Sequence, residues 1–221
     1  MHFMPRFTDG QSFPEPLGKI VCVGRNYADH ARELDNPVPS EPLLFIKPAT
    51  AAVPLEQPIG APFSRGEVHY ETELALLIGE ELSHVTADEA ERGIVGIGLA
   101  LDLTLRDVQS RLKEKGHPWE IAKAFDGACP LSSFLPLSQV PNWSGITFSL
   151  EVDGETRQRG EGADMLFPVA TLVAEMSRHF TLQPGDVVLT GTPAGVGPLE
   201  RGTTLRFTLT GGLEITTRVV E

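Results

Sequence analysis

The 221-residue sequence predicts a β-rich α+β fold in which strand content exceeds helix content. Three observations support this class. The chain holds 22 glycines and 18 prolines, which favours many turns and short segments. Its apolar runs are four to eight residues long, as in buried strands. Hairpin signals dominate the second half. Since 41% of residues are hydrophobic and 22% charged, we expect an ordinary globular protein with a buried core.

The first element is a buried strand over residues 20–23, closed by Gly24. Asn26 then suits the N-cap of a short helix over residues 27–34. Residues 37–62 contain seven prolines around a strand-like segment at 43–47, so this region should be extended and not helical.

Residues 68–78 predict one long strand that becomes wholly apolar beyond Leu74. Thr86-Ala87-Asp88-Glu89 is a capping box for a short helix that ends near Gly93. A second buried strand covers residues 94–101, with Asp102 at its end. The next predicted helix begins after Thr104, taken as its cap, and ends at Lys115 before Gly116.

The second half reads as antiparallel structure. Segments 147–152 and 155–160 flank Asp153-Gly154, a strong two-residue hairpin signal. A helix at 168–179 and a strand at 187–190 follow. Segments 205–209 and 213–219 around two glycines predict a closing hairpin.

Charge and composition exclude several functions. The formal charge is −12, and no Lys/Arg cluster could neutralise phosphates, so we expect no nucleic-acid partner. No run approaches the roughly 20 apolar residues of a membrane helix. Cys22 and Cys129 form no metal or disulfide spacing, and Cys22 should be a buried structural thiol. The first residues lack the apolar stretch of a signal peptide, so the expected location is cytoplasmic.

Glu71-Thr72-Glu73 is the most unusual feature. Strand alternation places His69, Glu71 and Glu73 on one face, where two carboxylates on a largely apolar strand would repel each other. A hard divalent cation such as Mg²⁺ or Mn²⁺ would resolve the repulsion, and Asp102 offers a third carboxylate. The alternative is a solvated strand edge, and residue spacing alone leaves both interpretations open.

Other polar residues near these segments could take part in chemistry. His30 and Glu33 lie three apart on one helix face and could form a base with its orienting carboxylate, or an ordinary surface pair. Arg106 and Gln109 share a face of the helix after Asp102. Lys123, in a mostly apolar setting, could stabilise developing negative charge or simply extend to solvent.

Two glycine-rich segments do not indicate nucleotide binding. Residues 191–197 lack the Lys-Ser/Thr and the following helix of a phosphate loop, although their amides and the Thr192 hydroxyl could hold a carboxylate. The Gly96-x-Gly98 pair lacks the third glycine of a dinucleotide fingerprint and lies within a strand.

The ordered set of segments from Lys19 to the C-terminus resembles the fumarylacetoacetate hydrolase family, in particular its short acylpyruvase and oxaloacetate decarboxylase branch. The resemblance rests on these segments, in family order: Val23-Gly24-Arg25-Asn26-Tyr27-Ala28-Asp29-His30, then Glu33, Phe45-Ile46-Lys47-Pro48, His69-Tyr70-Glu71-Thr72-Glu73-Leu74, Leu101-Asp102-Leu103-Thr104-Leu105-Arg106-Asp107-Val108-Gln109, Ala122-Lys123-Ala124-Phe125-Asp126 and Gly185-Asp186-Val187-Val188-Leu189-Thr190-Gly191-Thr192-Pro193.

The resemblance implies roles for individual residues. Glu71, Glu73 and Asp102 match the ligands of Mg²⁺ or Mn²⁺. The catalytic residues that it implies are His30, Glu33 and Lys123, with the dyad on a short helix over the substrate. The substrate-binding residues that it implies are Arg106, Gln109 and Thr192.

The resemblance also implies architecture. The family fold is a mixed β-sandwich roll with short peripheral helices, typically in homodimers, so the expected division is an N-terminal extension at 1–18 and a catalytic domain at 19–221. One departure is Tyr70, where the family often has a second histidine. Strand alternation points Tyr70 away from the metal, so we expect little effect on function.

The function implied is that of a metal-dependent hydrolase that cleaves a carbon–carbon bond in acylpyruvate-type 2,4-dioxo acids, such as an acylpyruvate or fumarylpyruvate, and releases pyruvate. The first alternative is an oxaloacetate decarboxylase or an oxaloacetate keto–enol tautomerase, since each passes through the same enolate. The second alternative is a non-catalytic protein that binds a metal or a 2-oxo acid.

Overall fold

The structure is a computed structural model that describes residues 3–33, 37–140 and 142–220. The strands in these ranges are β1 (Ile20–Gly24), β2 (Leu43–Lys47), β3 (Ala52–Pro54), β4 (Val68–Tyr70), β5 (Thr72–Ile78), β6 (Ile94–Leu101), β7 (Thr104–Leu105), β8 (Cys129–Leu131), β9 (Leu135–Pro136), β10 (Thr147–Val152), β11 (Glu155–Glu161), β12 (Val187–Leu189), β13 (Gly197–Pro198), β14 (Thr204–Leu209) and β15 (Leu213–Arg218). The helices are α1 (Ala28–Glu33), α2 (Ala87–Arg92), α3 (Arg106–Glu114), α4 (Glu120–Lys123) and α5 (Val169–His179). The predicted β-rich α+β class is confirmed.

The strands form three sheets. The largest is mixed and runs in the order β2-β1-β12-β5-β6-β8-β3, with β9 also paired to β6. A four-stranded antiparallel sheet has the order β11-β10-β14-β15, and a small sheet joins β13, β4 and β7. Strand β10 contacts β5, and β14 contacts β6, so the antiparallel sheet covers the centre of the large one. Strand β5 is buried throughout, as expected for a strand covered on both faces.

Signals carried by a few adjacent residues predicted their elements well. The hairpin β10–β11 turns at Asp153 and Gly154, both at positive φ, as a two-residue hairpin turn requires. The Thr86 and Glu89 capping box is present at the start of α2. Gly116, at φ +64, follows the end of α3 in the left-handed conformation of a helix stop.

Three predictions of local structure are wrong. Tyr27, whose carbonyl accepts from the Ala31 amide, caps α1, because the Asn26 side chain instead bonds Phe167 and Thr190. Thr104 belongs to β7 and donates to the Asp102 carbonyl, so Leu105 is the cap of α3. The predicted end of the first helix at Leu34 lies outside the described residues.

The third error concerns residues 68–78, which form two strands and not one. β4 pairs with β7 and β13 in the small sheet, whereas β5 pairs with β6 and β12 in the large one. The change of sheet falls at Glu71, so that the strand alternation does not continue from His69 through to Glu73.

The segment before β1 packs on the large sheet. The Thr8 amide donates to the Phe134 carbonyl, and the Leu17 amide donates to the Phe3 carbonyl. Phe13 and Leu17 are buried. The division of the chain at residue 18 stays a prediction. In the described ranges, no helix is both long and apolar enough to cross a membrane.

Candidate active site

Two neighbouring strands bring the three predicted carboxylates together. β5 and β6 are antiparallel, with Thr72 opposite Leu101, so Glu71 and Asp102 are the next residues along the same ladder. The Asp102 amide donates to the Glu71 carbonyl at 2.8 Å. Glu73 lies two residues further into β5. One oxygen from each carboxylate lies within 4.8 Å of the others, and all three side chains are buried.

His69 does not join this cluster. Its Nε2 lies 2.9 Å from Glu67 Oε1, because β4 belongs to the small sheet and turns His69 away from Glu71. The prediction that His69 shares a face with Glu71 and Glu73 does not make it part of the cluster, whose ligand atoms come from Glu71, Glu73 and Asp102.

Three buried or half-buried cations face the carboxylates. Lys123 Nζ donates to Glu71 Oε2 at 2.8 Å and to Asp102 Oδ2 at 2.6 Å. Arg106 pairs with Glu71 and also donates to Gln109 Oε1 at 2.9 Å. Lys47, at the end of β2, lies with Nζ 2.7 Å from Asp102 Oδ1. This compensation makes a group of three buried carboxylates tolerable.

The surroundings of each carboxylate set its ionisation. Burial raises the pKa of Glu73 well above its ordinary value, and the charges of Asp102 and Glu71 raise it further. Burial also opposes ionisation of Glu71, but Lys123, Arg106 and His30 hold its pKa well below its ordinary value. Glu73 is thus the carboxylate least matched by cations, although it accepts a hydrogen bond of 2.7 Å from the Gly191 amide.

The cluster fits a divalent cation. Its donors are all hard carboxylate oxygens, which Mg²⁺ and Mn²⁺ prefer. Asp102 Oδ1 is buried and has no hydrogen-bond donor among the described residues, because Lys47 Nζ directs its protons to carbonyl oxygens. A cation would satisfy this oxygen and remove the repulsion that raises the pKa of Glu73.

His30 lies on α1, which covers the cleft. Its Nδ1 is 3.4 Å from Glu33 Oε2, and the imidazole is buried. Burial lowers the pKa of His30, although Glu71 and Glu33 act in the opposite direction. The Glu33 carboxylate also accepts from the Gly195 amide at 3.0 and 3.2 Å, which holds α1 against the loop after β12. The neutral imidazole is suited to accept a proton.

The polar residues predicted around a 2-oxo acid line the same cleft. Arg106, Gln109, Lys123 and Thr192 all face it. The Thr192 hydroxyl donates to the Thr72 carbonyl at 2.9 Å and accepts from Gln158 at 2.8 Å. Eight of the nine predicted site residues thus line one cleft, and the ninth, Glu33, lies behind His30 with Oε2 3.4 Å from its Nδ1.

Two residues outside the predicted set hold the site together. Lys47 is fully buried and Gln158 is 1% exposed. The Phe45-Ile46-Lys47-Pro48 segment was part of the resemblance, so a lysine in an apolar strand was a usable signal for Lys47. Gln158 lies on β11 among exposed polar residues, and no local pattern distinguishes it.

Comparisons with known proteins identify the family of this chain. Residues 19–220 match the model of the fumarylacetoacetate (FAA) hydrolase C-terminal family. The chain is 52% identical over 206 residues to the oxaloacetate tautomerase YcgM of Escherichia coli (strain K12), covering 93% of this chain and 94% of that protein. It is 42% identical over 200 residues to the human mitochondrial oxaloacetate tautomerase FAHD1, with 90% of each chain covered.

A solved structure is similar over nearly the whole length. It is the fumarylpyruvate hydrolase from Pseudomonas aeruginosa in complex with Mn²⁺ and pyruvate, with a TM-score of 0.93 and 41% identity, covering 99% of this chain and 96% of that one. The family match spans most of the sequence, and both relatives exceed 40% identity. The chain therefore belongs to the fumarylacetoacetate hydrolase family.

Proposed function

We propose that this chain is a metal-dependent oxaloacetate keto–enol tautomerase. The proposal depends on one observation: the His30 imidazole and the Lys123 ammonium line the same cleft. The first can accept a proton, and the second can stabilise a negatively charged oxygen. The similarity to two oxaloacetate tautomerases supports this alternative better than the hydrolase function that we expected first.

The metal in this proposal is Mg²⁺ or Mn²⁺, held by Glu71, Glu73 and Asp102. Such a cation would act as a Lewis acid on the carboxylate and 2-oxo oxygens of the substrate, and so lower the cost of forming an enolate. The similar hydrolase that binds Mn²⁺ supports a metal of this kind.

The side chains supply the proton transfers. His30 accepts a proton from the C3 methylene of oxaloacetate, and the electron pair of that C–H bond becomes the C2–C3 double bond. The negative charge moves to the 2-oxo oxygen, where the Lys123 ammonium stabilises it. The proton that His30 has taken up is returned through water to that oxygen, which completes the enol and restores the neutral imidazole. Glu33 orients His30 through Nδ1, which leaves Nε2 to act as the base.

Binding of the 2-oxo acid uses the polar wall of the cleft. Arg106 presents a guanidinium to a carboxylate, and its pair with Gln109 fixes its direction. Thr192 is held by Gln158 and faces the same cleft. In this proposal, these contacts position the substrate carboxylate so that the C3 methylene faces His30.

The decisive experiment measures oxaloacetate tautomerisation by His30→Gln in the presence of Mg²⁺ or Mn²⁺. We expect a loss of roughly 10²–10⁴-fold in rate, as for removal of a general base. His179→Gln is the matched control, since His179 is an exposed histidine on α5. A His30→Gln variant with the wild-type rate would refute the proposal.

Acylpyruvate hydrolysis is the second candidate. The His30–Glu33 pair favours it, because a base with its own carboxylate could also activate water for attack on a distal carbonyl. The similar fumarylpyruvate hydrolase supports it as well. A panel of acetylpyruvate, fumarylpyruvate and oxaloacetate, with tautomerisation and decarboxylation measured separately, decides between the activities. Binding of oxalate without turnover of any of these compounds would favour a non-catalytic protein.

Three further properties complete the proposal. We propose that the small 2-oxo acid is the only ligand besides the metal, and that the chain acts as a homodimer. We also propose that residues 19–221 form the catalytic domain after an N-terminal extension. The cytoplasmic location is supported by the two buried free thiols, which a reducing compartment preserves.

A further inference from the structure

Two cations at the mouth of the cleft have no role in the chemistry described above. Arg25 follows β1, and Lys113 lies in the last turn of α3. Both line the cleft. Within the described ranges, neither forms an ion pair with a carboxylate, whereas Lys47, Lys123 and Arg106 all do. Arg25 and Lys113 are thus surplus positive charge in the cleft of a protein with a net charge of −12.

The backbone at Arg25 and a ring contact at Lys113 direct these side chains to the cleft. Arg25 has a φ of +61, an uncommon conformation for a residue with a β-carbon, and the turn it makes brings its side chain to the cleft. Lys113 Nζ lies 5.3 Å from the centre of the Trp119 ring, which holds the ammonium at the rim by a cation–π contact.

The two cations repel each other across the mouth. Partial burial, together with the charges of Arg25, Arg106 and Lys123, lowers the pKa of Lys113 to about 8, although the charge of Glu71 acts in the opposite direction. An anion bound between these side chains would relieve the repulsion. The electrostatic potential at Arg25 and Lys113 therefore favours binding of an anion in addition to the carboxylates of the protein.

The charges of the cleft indicate which ligand fits. The three carboxylates are already opposed by Lys47, Lys123 and Arg106, and a divalent cation would add positive charge at the same end. A ligand with one carboxylate would leave Arg25 and Lys113 unmatched. A ligand with a second carboxylate at its far end would match them, and Phe45 and Trp119 add apolar surface to the same cleft.

We propose that Arg25 and Lys113 bind the second carboxylate of the substrate, so that the site selects 2-oxo dicarboxylic acids over 2-oxo acids with an uncharged end. The inference deepens the proposed function and rests on it in one respect: the 2-oxo acid group is bound at the end of the cleft formed by Glu71, Glu73 and Asp102.

The test compares two stable ligands of equal chain length, 2-oxoglutarate and 2-oxovalerate, which differ only in the terminal carboxylate. Their dissociation constants are measured by calorimetry on the Mg²⁺-loaded protein. We expect the wild type to prefer 2-oxoglutarate at least roughly tenfold, the value of one charge-assisted contact. Lys113→Met should remove most of this preference by weakening 2-oxoglutarate alone.

Three further variants make the result specific. Lys113→Arg keeps the charge and should keep the preference. Lys115→Met removes an equal charge from the exposed end of the same helix and should leave both constants unchanged. Arg25→Gln should act as Lys113→Met does, and a thermal unfolding curve shows whether each variant is folded.

A wild type without preference for 2-oxoglutarate would overturn the inference, and so would a preference that survives both Lys113→Met and Arg25→Gln. The rate of oxaloacetate tautomerisation is measured in parallel. If the rate is absent but the charge-dependent preference is present, the proposed reaction fails and the carboxylate site stands. The reverse result rejects the carboxylate site alone.

Discussion

At the scale of single residues, Lys47 is the group on which the site depends most. Its side chain is fully buried, and its ammonium donates to the backbone carbonyls of Lys123 and Ala128 while lying 2.7 Å from Asp102 Oδ1. A lysine without solvent is stable only when every proton and its charge are matched. Lys47 therefore fixes both a carboxylate of the cluster and the segment that carries Lys123.

Lys47→Met should lower the free energy of unfolding by about 3–5 kcal/mol, because it removes one of the two ammonium groups paired with Asp102 and leaves the buried Lys123 carbonyl without its donor. Urea unfolding of the metal-free protein measures this change. Lys115→Met, at an exposed position, should change stability by less than about 0.5 kcal/mol. Equal stabilities of the two variants would contradict the role given to Lys47.

The pH dependence of the reaction should report His30. Because His30 accepts a proton only in its neutral form, kcat/KM should fall as the pH drops through the pKa of His30. Burial disfavours the imidazolium, so this pKa lies below the ordinary value of about 6.5. The charged groups that face His30 are Glu71 and Glu33, which raise its pKa, and Arg106, which lowers it.

Glu33→Gln removes one of the contributions that raise this pKa, so the acidic limb of the profile should move to lower pH while the maximal rate falls. Asp29→Asn is the control on the same helix, because Asp29 is paired with Arg32 at the surface. It should leave the limb in place. A limb that moves to higher pH in Glu33→Gln would show that another group titrates.

At the scale of elements, the loop after β12 holds α1 in place through hydrogen bonds to Glu33. The Gly195 amide donates to both Glu33 oxygens, and Gly195 has a φ of +96. A β-carbon at this position would lie 1.8 Å from the Arg157 carbonyl oxygen. Only glycine fits without displacing the loop, so the conformation of the loop and the orientation of the dyad are coupled.

Gly195→Ala should reduce kcat to about the level of Glu33→Gln, and the double variant should be no slower than either single one, because both changes remove the same contact. Gly154→Ala is the matched control. Gly154 also has a positive φ, of +83, but an added β-carbon would meet nothing within 4 Å. It should cost about 1 kcal/mol in stability and leave kcat unchanged. If the losses of kcat in the two single variants multiply in the double variant, Gly195 does not act through Glu33.

The elements also show how far the sequence could predict the fold. Asp153-Gly154 and the Thr86 capping box succeed because a few adjacent residues decide them. Asn26 and Thr104 fail as caps because their side chains bond distant or buried partners, which have no local signal. The strand break at Glu71 depends on pairing with β7 and β13.

The candidate site was easier to predict than these boundaries. Glu71 and Glu73 alternate along the chain and Asp102 ends an apolar strand, so all three were visible as carboxylates in the wrong environment. The sequence could not show that Lys47 neutralises Asp102, because the two are far apart along the chain and lie at the ends of strands, β2 and β6, that are not neighbours in the large sheet.

At the scale of the whole molecule, the carboxylate cluster links metal binding to folding stability. A ligand that binds only the folded state stabilises it by about 2.7 kcal/mol at a hundred times its dissociation constant. For a chain of this size we expect Mg²⁺ or Mn²⁺ to raise the Tm by roughly 5–10 °C. Differential scanning fluorimetry measures the shift, which a chelator should reverse.

Glu73→Gln should abolish this metal-dependent gain without lowering the stability of the metal-free protein at neutral pH. The pKa of Glu73 is raised in the folded state, so its contribution to stability is present below about pH 4.5 and is lost as the pH rises. In the absence of metal, the free energy of unfolding of Glu73→Gln should therefore increase relative to that of the wild type as the pH rises above about 4.5. Glu80→Gln, an exposed carboxylate after β5, should preserve the gain. A Glu73→Gln protein that metal stabilises normally would exclude Glu73 as a ligand.

The position of β12 has a consequence for how the chain reaches its native state. This strand lies between β1 and β5 in the large sheet, and it joins β1 in parallel, with Ile20 beside Val187. The flanking ion pair joins Lys19 to Asp186, 167 positions later in the chain. Such distant pairing closes slowly. During synthesis, one edge of β1 and one edge of β5 have no partner strand until β12 is made. The loop that carries Gly191, Thr192 and Gly195 is made later still. Catalytic competence should therefore be among the last properties that the folding chain acquires, and exposed strand edges make the earlier interval the one most open to aggregation.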